Sequence, residues 1–435
     1  MVLPSRPRAA LLIALVASGA SGASGACGAP ARPAAWTEAP ARTADGEVPA
    51  DAQRRYTIWL GGARIGTAVE DEAWTPDGVV LRRTETLRFL RGASPVEVET
   101  TITITADRAL VPVRVSWRER GATTRQVDVV RTDAGWRALD GSLRTELARV
   151  PEGAVPTELV PLLLRRDGRY EGAVFMPARG FVGGRGRVEP VAPGRLIARL
   201  ELTAGPRVEA TIDLAPDGAP ARVVDGEGVI AMRATPAQAA APFDPVDLIA
   251  ATSVPLTGVR SRAITLAGDL ALPALPGQDA RPGEGGVDVE LSATLPGALP
   301  PGIARRDRTP DITAVVASVR HRIAPDLGAG ITSPRDVELA TAGDCTTFAL
   351  AYAALAARLD IPTRVVTGLR VDGARLVRHR WAVSWTGRAW VAVDAAFGAV
   401  PAGGDLIGLA IHDADDAGLI AGEAALTAVH AARWR

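Results

Sequence analysis

The sequence contains no lysine: all 49 of its basic residues are arginine, and 49 acidic residues balance them. A chain with no excess of positive charge and no basic run lacks the electrostatic attraction that binding to a nucleic acid requires. We therefore expect no nucleic-acid partner. Apolar residues make up 47% of the chain, which is enough to form folded cores.

Cysteine is almost as scarce, with only Cys27 and Cys345 in the chain. Cys27 ends an N-terminal leader, so Cys345 has no disulfide partner once Cys27 is removed or lipidated. An unpaired thiol is a hazard in an oxidising compartment unless it is used. The alternative is that Cys345 is a small buried core residue.

Long apolar runs are also missing. Residues 1–26 have the pattern of an export signal, with two arginines before the apolar stretch Ala9–Ala17. This stretch is shorter than the roughly 20 residues of a spanning helix, and no later segment qualifies. Ser24-Gly25-Ala26 before Cys27 resembles a bacterial lipoprotein cleavage site, at which Cys27 would be lipidated; the alternative is simple cleavage and release. We therefore expect an exported protein of the cell envelope, periplasmic or on the outer surface and anchored by a lipid on Cys27, or otherwise a secreted one.

A chain of 435 residues is too long for one ordinary core, so two or more folded units are expected. Short β-prone runs such as Tyr56–Leu60 and Ala63–Val69 alternate with turns and predict an antiparallel sheet, either a curved sheet, a barrel or a sandwich. The predicted fold class is multidomain α+β. The predicted order is an export signal at 1–26, a flexible tether at 27–52, a β-domain at 53–241, a Pro/Gly-rich connector at 242–308 and an α+β domain at 309–435.

A first helix is predicted after Pro310, where helical periodicity begins, with Thr309 as its expected N-cap. A second helix is predicted from near Cys345 to about Leu359, and three strands follow, at Thr363–Leu369, His379–Trp385 and Ala389–Ala395. One apolar stripe marks the first helix: Ile312, Val315, Val316, Val319 and Ile323.

Cys345 follows Gly343-Asp344 and immediately precedes a run of helix formers. A cysteine at a helix N-terminus faces unpaired backbone N–H groups and the positive end of the helix dipole, which favours the thiolate. The backbone N–H of Cys345 would also be the first donor to an oxyanion. This position therefore suits a nucleophile.

His379 and Asp394 lie on two predicted strands joined by Trp385-Thr386-Gly387-Arg388. If Thr386-Gly387 is a two-residue turn, His379 is directly opposite Asp394, with Cβ atoms about 4.5 to 5.5 Å apart. The carboxylate would then orient the imidazole, and the imidazole would take the thiol proton. The other interpretation is an ordinary polar pair on a half-buried sheet.

From about Asp311 to His412 the sequence resembles the transglutaminase-like superfamily, a papain-related fold. The resemblance implies a catalytic triad in which Cys345 is the nucleophile, His379 the base and Asp394 the orienting acid. Where the family usually has glycine this chain has Asp360, a residue type that tolerates the left-handed conformation. The matching pieces are Gly343-Asp344-Cys345, Ala356 to Arg364, His379-Arg380-Trp381 and Trp390 to Asp394.

The β-domain resembles the curved-sheet domains that precede transglutaminase cores in bacterial envelope proteins. Three functions remain open: a peptidase or amidase acting on a protein or peptide substrate, which we favour; an acyltransferase that uses an amine; and a catalytically silent envelope module. No paired Cys-x-x-Cys or His-x-x-x-His spacing exists to complete a zinc site from Cys345, His379, Asp394 or His412, and no Gly-rich phosphate loop occurs. We therefore predict no metal and no cofactor. The sequence predicts no particular oligomeric state.

Overall fold

The computed structural model describes residues 48–121, 124–202, 207–226, 228–299, 311–328, 334 and 337–435. The predicted export signal, Cys27 and most of the predicted tether lie outside these residues, as do Thr309 and Pro310. The chain divides into two compact units. The C-terminal unit contains Phe89–Val96 and Pro245–Arg435, and the N-terminal unit contains the described residues up to Arg88 and Glu97–Asp244. Among the described residues, no helix is both long enough and apolar enough to cross a bilayer.

One 14-stranded sheet forms the framework of the N-terminal unit, apart from the hairpin at Phe89–Val96, which belongs to the C-terminal unit. Its strands are β1 (Ala52–Leu60), β2 (Ala63–Thr75), β3 (Gly78–Arg91), β4 (Ser94–Asp107), β5 (Pro112–Arg120), β6 (Thr124–Thr132), β7 (Gly135–Ala138), β8 (Val155–Pro156), β9 (Tyr170–Met176), β10 (Val182–Ala192), β11 (Arg195–Leu202), β12 (Arg207–Leu214), β13 (Pro220–Val224) and β14 (Val229–Ala234). The helices are α1 (Arg144–Leu147), α2 (Val160–Asp167) and α3 (Pro236–Ala240), with 3₁₀ turns at Thr157–Leu159 and Pro177–Arg179.

Strands that are consecutive in the chain are neighbours in this sheet, from β1 to β7 and again from β8 to β14, and β1 pairs with β14. Trp136 on β7 meets Phe175 on β9, with 5.1 Å between ring centroids. Because these strands are far apart in the sheet order, the sheet must curve around a shared core. The prediction of a large β-sheet region in the N-terminal part is confirmed.

The C-terminal unit combines helices with a nine-stranded sheet of order β17-β18-β16-β25-β15-β22-β21-β24, in which β23 also pairs with β22. Its elements are α4 (Leu248–Ala251), β15 (Val254–Thr257), β16 (Ala263–Ala267), β17 (Gln278–Gly283), β18 (Gly286–Leu291), α5 (Ile312–Arg322), β19 (Ala324–Pro325), β20 (Ala342–Gly343), α6 (Cys345–Arg358), β21 (Thr363–Asp372), β22 (Arg375–Trp385), β23 (Trp390–Val393), β24 (Leu406–His412), α7 (Asp416–Leu426) and β25 (Ala431–Trp434). Strands β19 and β20 pair separately.

The segment predicted as a connector, 242–308, contributes β15 to β18 to this sheet. Strand β15 pairs with β22 and with β25, and β16 pairs with β25. These strands are only four to six residues long and are separated by Pro- and Gly-rich turns. These turns explain why the composition of the segment is typical of a connector.

Helix α5 buries the apolar stripe predicted for it, with each of the five residues at most 5% exposed. Its N-cap is Asp311, whose Oδ1 accepts a hydrogen bond from the Ala314 N–H at 2.9 Å, so the expected cap at Thr309 is wrong. The stripe shares a core with α6. Asp360, just beyond α6, adopts the expected left-handed conformation with φ of 51°.

Candidate active site

Cys345 is the first residue of α6, as the sequence predicts. The preceding residue, Asp344, caps the helix: its Oδ1 accepts hydrogen bonds from the N–H groups of Thr346 and Thr347 at 3.0 and 3.2 Å. A Cβ added to Gly343 would lie 2.2 Å from Oγ1 of Thr347, so only glycine fits this close approach. The Gly-Asp-Cys sequence thus has a local structural cause.

His379 lies on β22 between Leu376, which pairs with β15, and Ala382, which pairs with β23. Its Nε2 is 2.7 Å from Oδ2 of Asp394. Its side chain also hydrogen-bonds to the Cys345 side chain. Because Nε2 is engaged by the carboxylate, Nδ1 is the ring nitrogen that serves the thiol. The structure therefore brings all three predicted residues together.

The predicted strand register is wrong by two residues. Trp385 pairs with Trp390, not with Arg388, and Ala382 pairs with Val393. The strand pairing ends there, so Asp394 is a diagonal neighbour of His379 and not its direct partner. A shift of two residues keeps each side chain on its face of the sheet, which is why the contact between His379 and Asp394 survives.

The second oxygen of Asp394 binds the backbone. Oδ1 accepts hydrogen bonds from the N–H groups of Ala396 and Phe397 at 3.1 and 3.3 Å, which leaves Oδ2 for His379. Burial opposes ionisation, but the His379 ring, the Phe397 N–H and Arg370 outweigh it and hold the pKa of Asp394 below its usual range. Asp394 is thus held as an oriented carboxylate.

The charge on His379 follows from the same contacts. Burial alone would favour the neutral ring, but Asp394 and the Cys345 side chain together raise the pKa of His379 to about 10. At neutral pH the ring therefore holds its proton. The arrangement is that of an imidazolium between a carboxylate and a sulfur, which suits a thiolate nucleophile with a proton donor beside it.

Two aromatic rings pack against the His379 ring. Trp381 stacks on His379 at 6.0 Å between ring centroids, and Phe397 meets the ring edge-on at 5.6 Å. Cys345 and His379 are fully buried. Phe397 is half-buried and therefore the outer of the two rings. A substrate can reach the sulfur only if a covering group moves.

Of the three tryptophans on β22 and β23, Trp381 alone contacts the His379 ring among the described aromatic pairs. Trp385 instead pairs with Trp390 near the turn, at 5.8 Å. His412 is also placed elsewhere: its Nε2 lies 2.9 Å from Oγ1 of Thr367.

Two buried arginines that sequence reasoning missed hold the residues on either side of Cys345. Arg91 Nη2 donates to Oδ2 of Asp344 at 2.6 Å. Arg380 Nη1 donates to Oγ1 of Thr346 at 2.9 Å, and its Nη2 donates to Glu423 at 2.6 Å. Arg380 belongs to the segment His379-Arg380-Trp381 that resembles the superfamily, so the sequence did point to this position. Arg91 is 253 residues from Asp344, and nothing local in the sequence marks it.

Comparison with known proteins gives one informative match. Residues 304–395 match the sequence profile of the transglutaminase-like superfamily. No curated protein matches the chain. A crystal structure of a DUF1089 family protein from Pseudomonas aeruginosa is similar over 36% of this chain and 88% of that one, at 14% identity and a TM-score of 0.26, a level that supports no inference. The match at 304–395 contains Cys345, His379 and Asp394. The C-terminal part of this chain therefore carries a transglutaminase-like domain.

Proposed function

We propose that the protein is a cysteine enzyme that cleaves amide bonds of protein or peptide substrates through an acyl-enzyme at Cys345. The observation that supports this proposal is the continuous contact from Cys345 through His379 to Asp394, inside the segment that matches the superfamily. A catalytically silent fold would gain little from such a group, because a buried ion pair is often no more stabilising than apolar residues of similar volume.

Each of the three residues has one role in acylation. The Cys345 thiolate attacks the carbonyl carbon of the amide, and the carbonyl oxygen becomes an oxyanion that the N–H at the start of α6 stabilises. The His379 imidazolium gives its proton to the leaving nitrogen, the C–N bond breaks, and an amine departs. Asp394 keeps the ring oriented and stabilises its charged form. The product is a thioester on Cys345.

Deacylation reverses the proton transfer. Neutral His379 takes a proton from water, the hydroxyl attacks the thioester carbon, and the C–S bond breaks to give a carboxylic acid and the Cys345 thiolate. An amine in place of water would yield a new amide and make the protein an acyltransferase. We favour hydrolysis. Whether water or an amine is the acceptor depends on which of them reaches the thioester.

A small activated ester, p-nitrophenyl acetate, tests this proposal without knowledge of the natural substrate. We expect a burst of one nitrophenolate per protein and an acetyl group on Cys345, both absent from Cys345→Ala and strongly reduced in His379→Ala. Equal nitrophenolate release by wild type and Cys345→Ala would overturn the proposal.

The same acetyl-enzyme separates the two enzyme classes. When it is offered water and a primary amine together, acetate alone indicates a hydrolase, and an acetylated amine indicates an acyltransferase. Mass spectrometry distinguishes these products directly.

We also propose that the protein is exported and works in the cell envelope, held by a lipid on Cys27. The support is the leader pattern at residues 1–26 and the cysteine that ends it. Mass spectrometry of the N-terminal peptide of the mature protein tests this. A lipidated Cys27 is expected, and an N-terminus beyond Cys27 would show simple cleavage and release.

A further inference from the structure

A buried ion pair holds the residue that precedes Cys345 in the chain. Arg91 is 1% exposed, Asp344 is fully buried, and the Nη2 of Arg91 is 2.6 Å from the Oδ2 of Asp344. Both residues belong to the C-terminal unit, because Phe89–Val96 clusters with it. Arg91 nevertheless lies outside the segment 304–395 that matches the superfamily.

Asp344 has two tasks, one for each carboxylate oxygen. Oδ1 caps α6 by accepting the N–H groups of Thr346 and Thr347, and Oδ2 receives Arg91. An uncompensated carboxylate at this depth would be costly, and its negative charge would lie on the residue that precedes the nucleophile. The Arg91 guanidinium offsets that charge.

Arg91 is itself held in place by the backbone around it. Its Nη1 donates to the carbonyl of Leu327 at 2.9 Å. On one side the Leu90 N–H donates to the Val246 carbonyl at 2.8 Å, and on the other the Gly92 N–H donates to Oδ1 of Asp247 at 2.9 Å. Because the backbone on both sides of Arg91 is fixed and its Nη1 is bound, the guanidinium can position the carboxylate that it pairs with.

We propose that Arg91 is a positioning residue for Cys345: through Asp344 it sets the first turn of α6 and neutralises the charge beside the thiolate. This inference rests on the proposed function, because it concerns how the nucleophile is prepared. Arg380 holds Thr346 on the other side of Cys345, so the two arginines fix both neighbours of the sulfur-bearing residue. The part of the chain that resembles the superfamily thus depends on a residue far upstream of it.

The test compares Arg91→Met, Asp344→Asn and the double variant in the full chain. Two quantities are measured at neutral pH: the rate of the acetylation burst and the melting temperature. In Arg91→Met we expect the burst to slow by about 10- to 100-fold. The double variant should recover most of the lost rate, because asparagine still offers a capping oxygen and leaves no buried charge.

A second buried arginine provides the matched control. Arg54 is 5% exposed and pairs with Glu72 and Glu70 within the N-terminal unit. Arg54→Met should lower the melting temperature without slowing the burst. Arg91→Lys keeps the charge but not the planar guanidinium, so it should restore part of the burst rate that Arg91→Met loses. It also holds the test open if the methionine variant does not fold.

The outcomes separate the inference from the proposed function. A wild-type protein that gives no acetylation burst counts against the enzyme itself. If the wild type gives the burst, an Arg91→Met variant with the same rate overturns the role of Arg91. So does a double variant no faster than Arg91→Met, an Arg91→Lys variant as slow as Arg91→Met, or an Arg54→Met control that slows the burst as much.

Discussion

The Nε2 of His379 lies 2.7 Å from the Oδ2 of Asp394, although the two residues are diagonal and not direct neighbours on their strands. This contact fixes which ring nitrogen is left for the thiol of Cys345. The Oδ1 of the same carboxylate binds two backbone N–H groups, so the orientation of Asp394 is set independently of the ring. A substitution at Asp394 can therefore test the role of the carboxylate without changing the sulfur or the imidazole.

Asp394→Asn keeps an oxygen for the N–H groups of Ala396 and Phe397 but removes the charge that stabilises the imidazolium. We expect the acetylation burst to slow by roughly 100-fold or more while the melting temperature changes little. Stopped-flow measurement of nitrophenolate release provides the rate. An Asp394→Asn protein that reacts as fast as the wild type would exclude a role for the carboxylate.

The raised pKa of His379 predicts a loss of stability in alkaline solution. The pKa is about 10 in the folded chain against an ordinary value of 6.5, so the native state holds this proton more tightly than the unfolded state. The stabilisation is fully present below about pH 6.5 and is lost as the pH rises through about 10. The difference in free energy of unfolding between wild type and His379→Gln should shrink across that window. Denaturant titrations at several pH values measure it, and a constant difference would contradict the charge assigned to His379.

His412 predicts the opposite dependence, in acid. Burial, and then the charge of Arg380, lower its pKa to about 3. A chain of hydrogen bonds explains the neutral ring, because Arg380 Nε donates to Oγ1 of Thr367, whose hydroxyl can then donate to Nε2 of His412. The unfolded state takes up a proton below about pH 6.5 while the folded state does not, so stability falls from there towards about pH 3. His412→Gln should weaken that fall, and an unchanged acid dependence would contradict the prediction.

Phe397 covers the edge of the His379 ring and is the more exposed of the two rings that contact it. Phe397→Ala should open a path to Cys345 and increase the rate of alkylation by iodoacetamide several-fold, with some loss of stability. Phe397→Leu retains an apolar cover and is the matched control, expected to react close to the wild-type rate. If the alanine variant reacts no faster than the leucine variant, a group other than Phe397 closes the site.

Local patterns predicted the local features of this site. The apolar stripe of α5, the start of α6 at Cys345 and the left-handed Asp360 all follow from periodicity, capping and residue type. Such features depend on neighbours within a few residues, which the sequence displays directly.

The turn between β22 and β23 differs from the predicted two-residue turn. β-Branched Thr386 does not favour the positive φ that a two-residue turn requires. Its hydroxyl instead accepts the N–H groups of Arg388 and Ala389 at 3.3 and 3.1 Å, which closes a four-residue turn and shifts the register by two. The contact between Arg91 and Asp344 lay beyond sequence reasoning for a different reason, since only the folded chain brings together residues 253 apart.

Whether His379 activates the Cys345 sulfur is measured as the rate at which iodoacetamide alkylates Cys345 at neutral pH in the wild type and in His379→Gln. We predict that the rate falls by about tenfold or more in His379→Gln, because glutamine cannot take the thiol proton. A His379→Gln protein that is alkylated at Cys345 as fast as the wild type would contradict a catalytic group made of these residues.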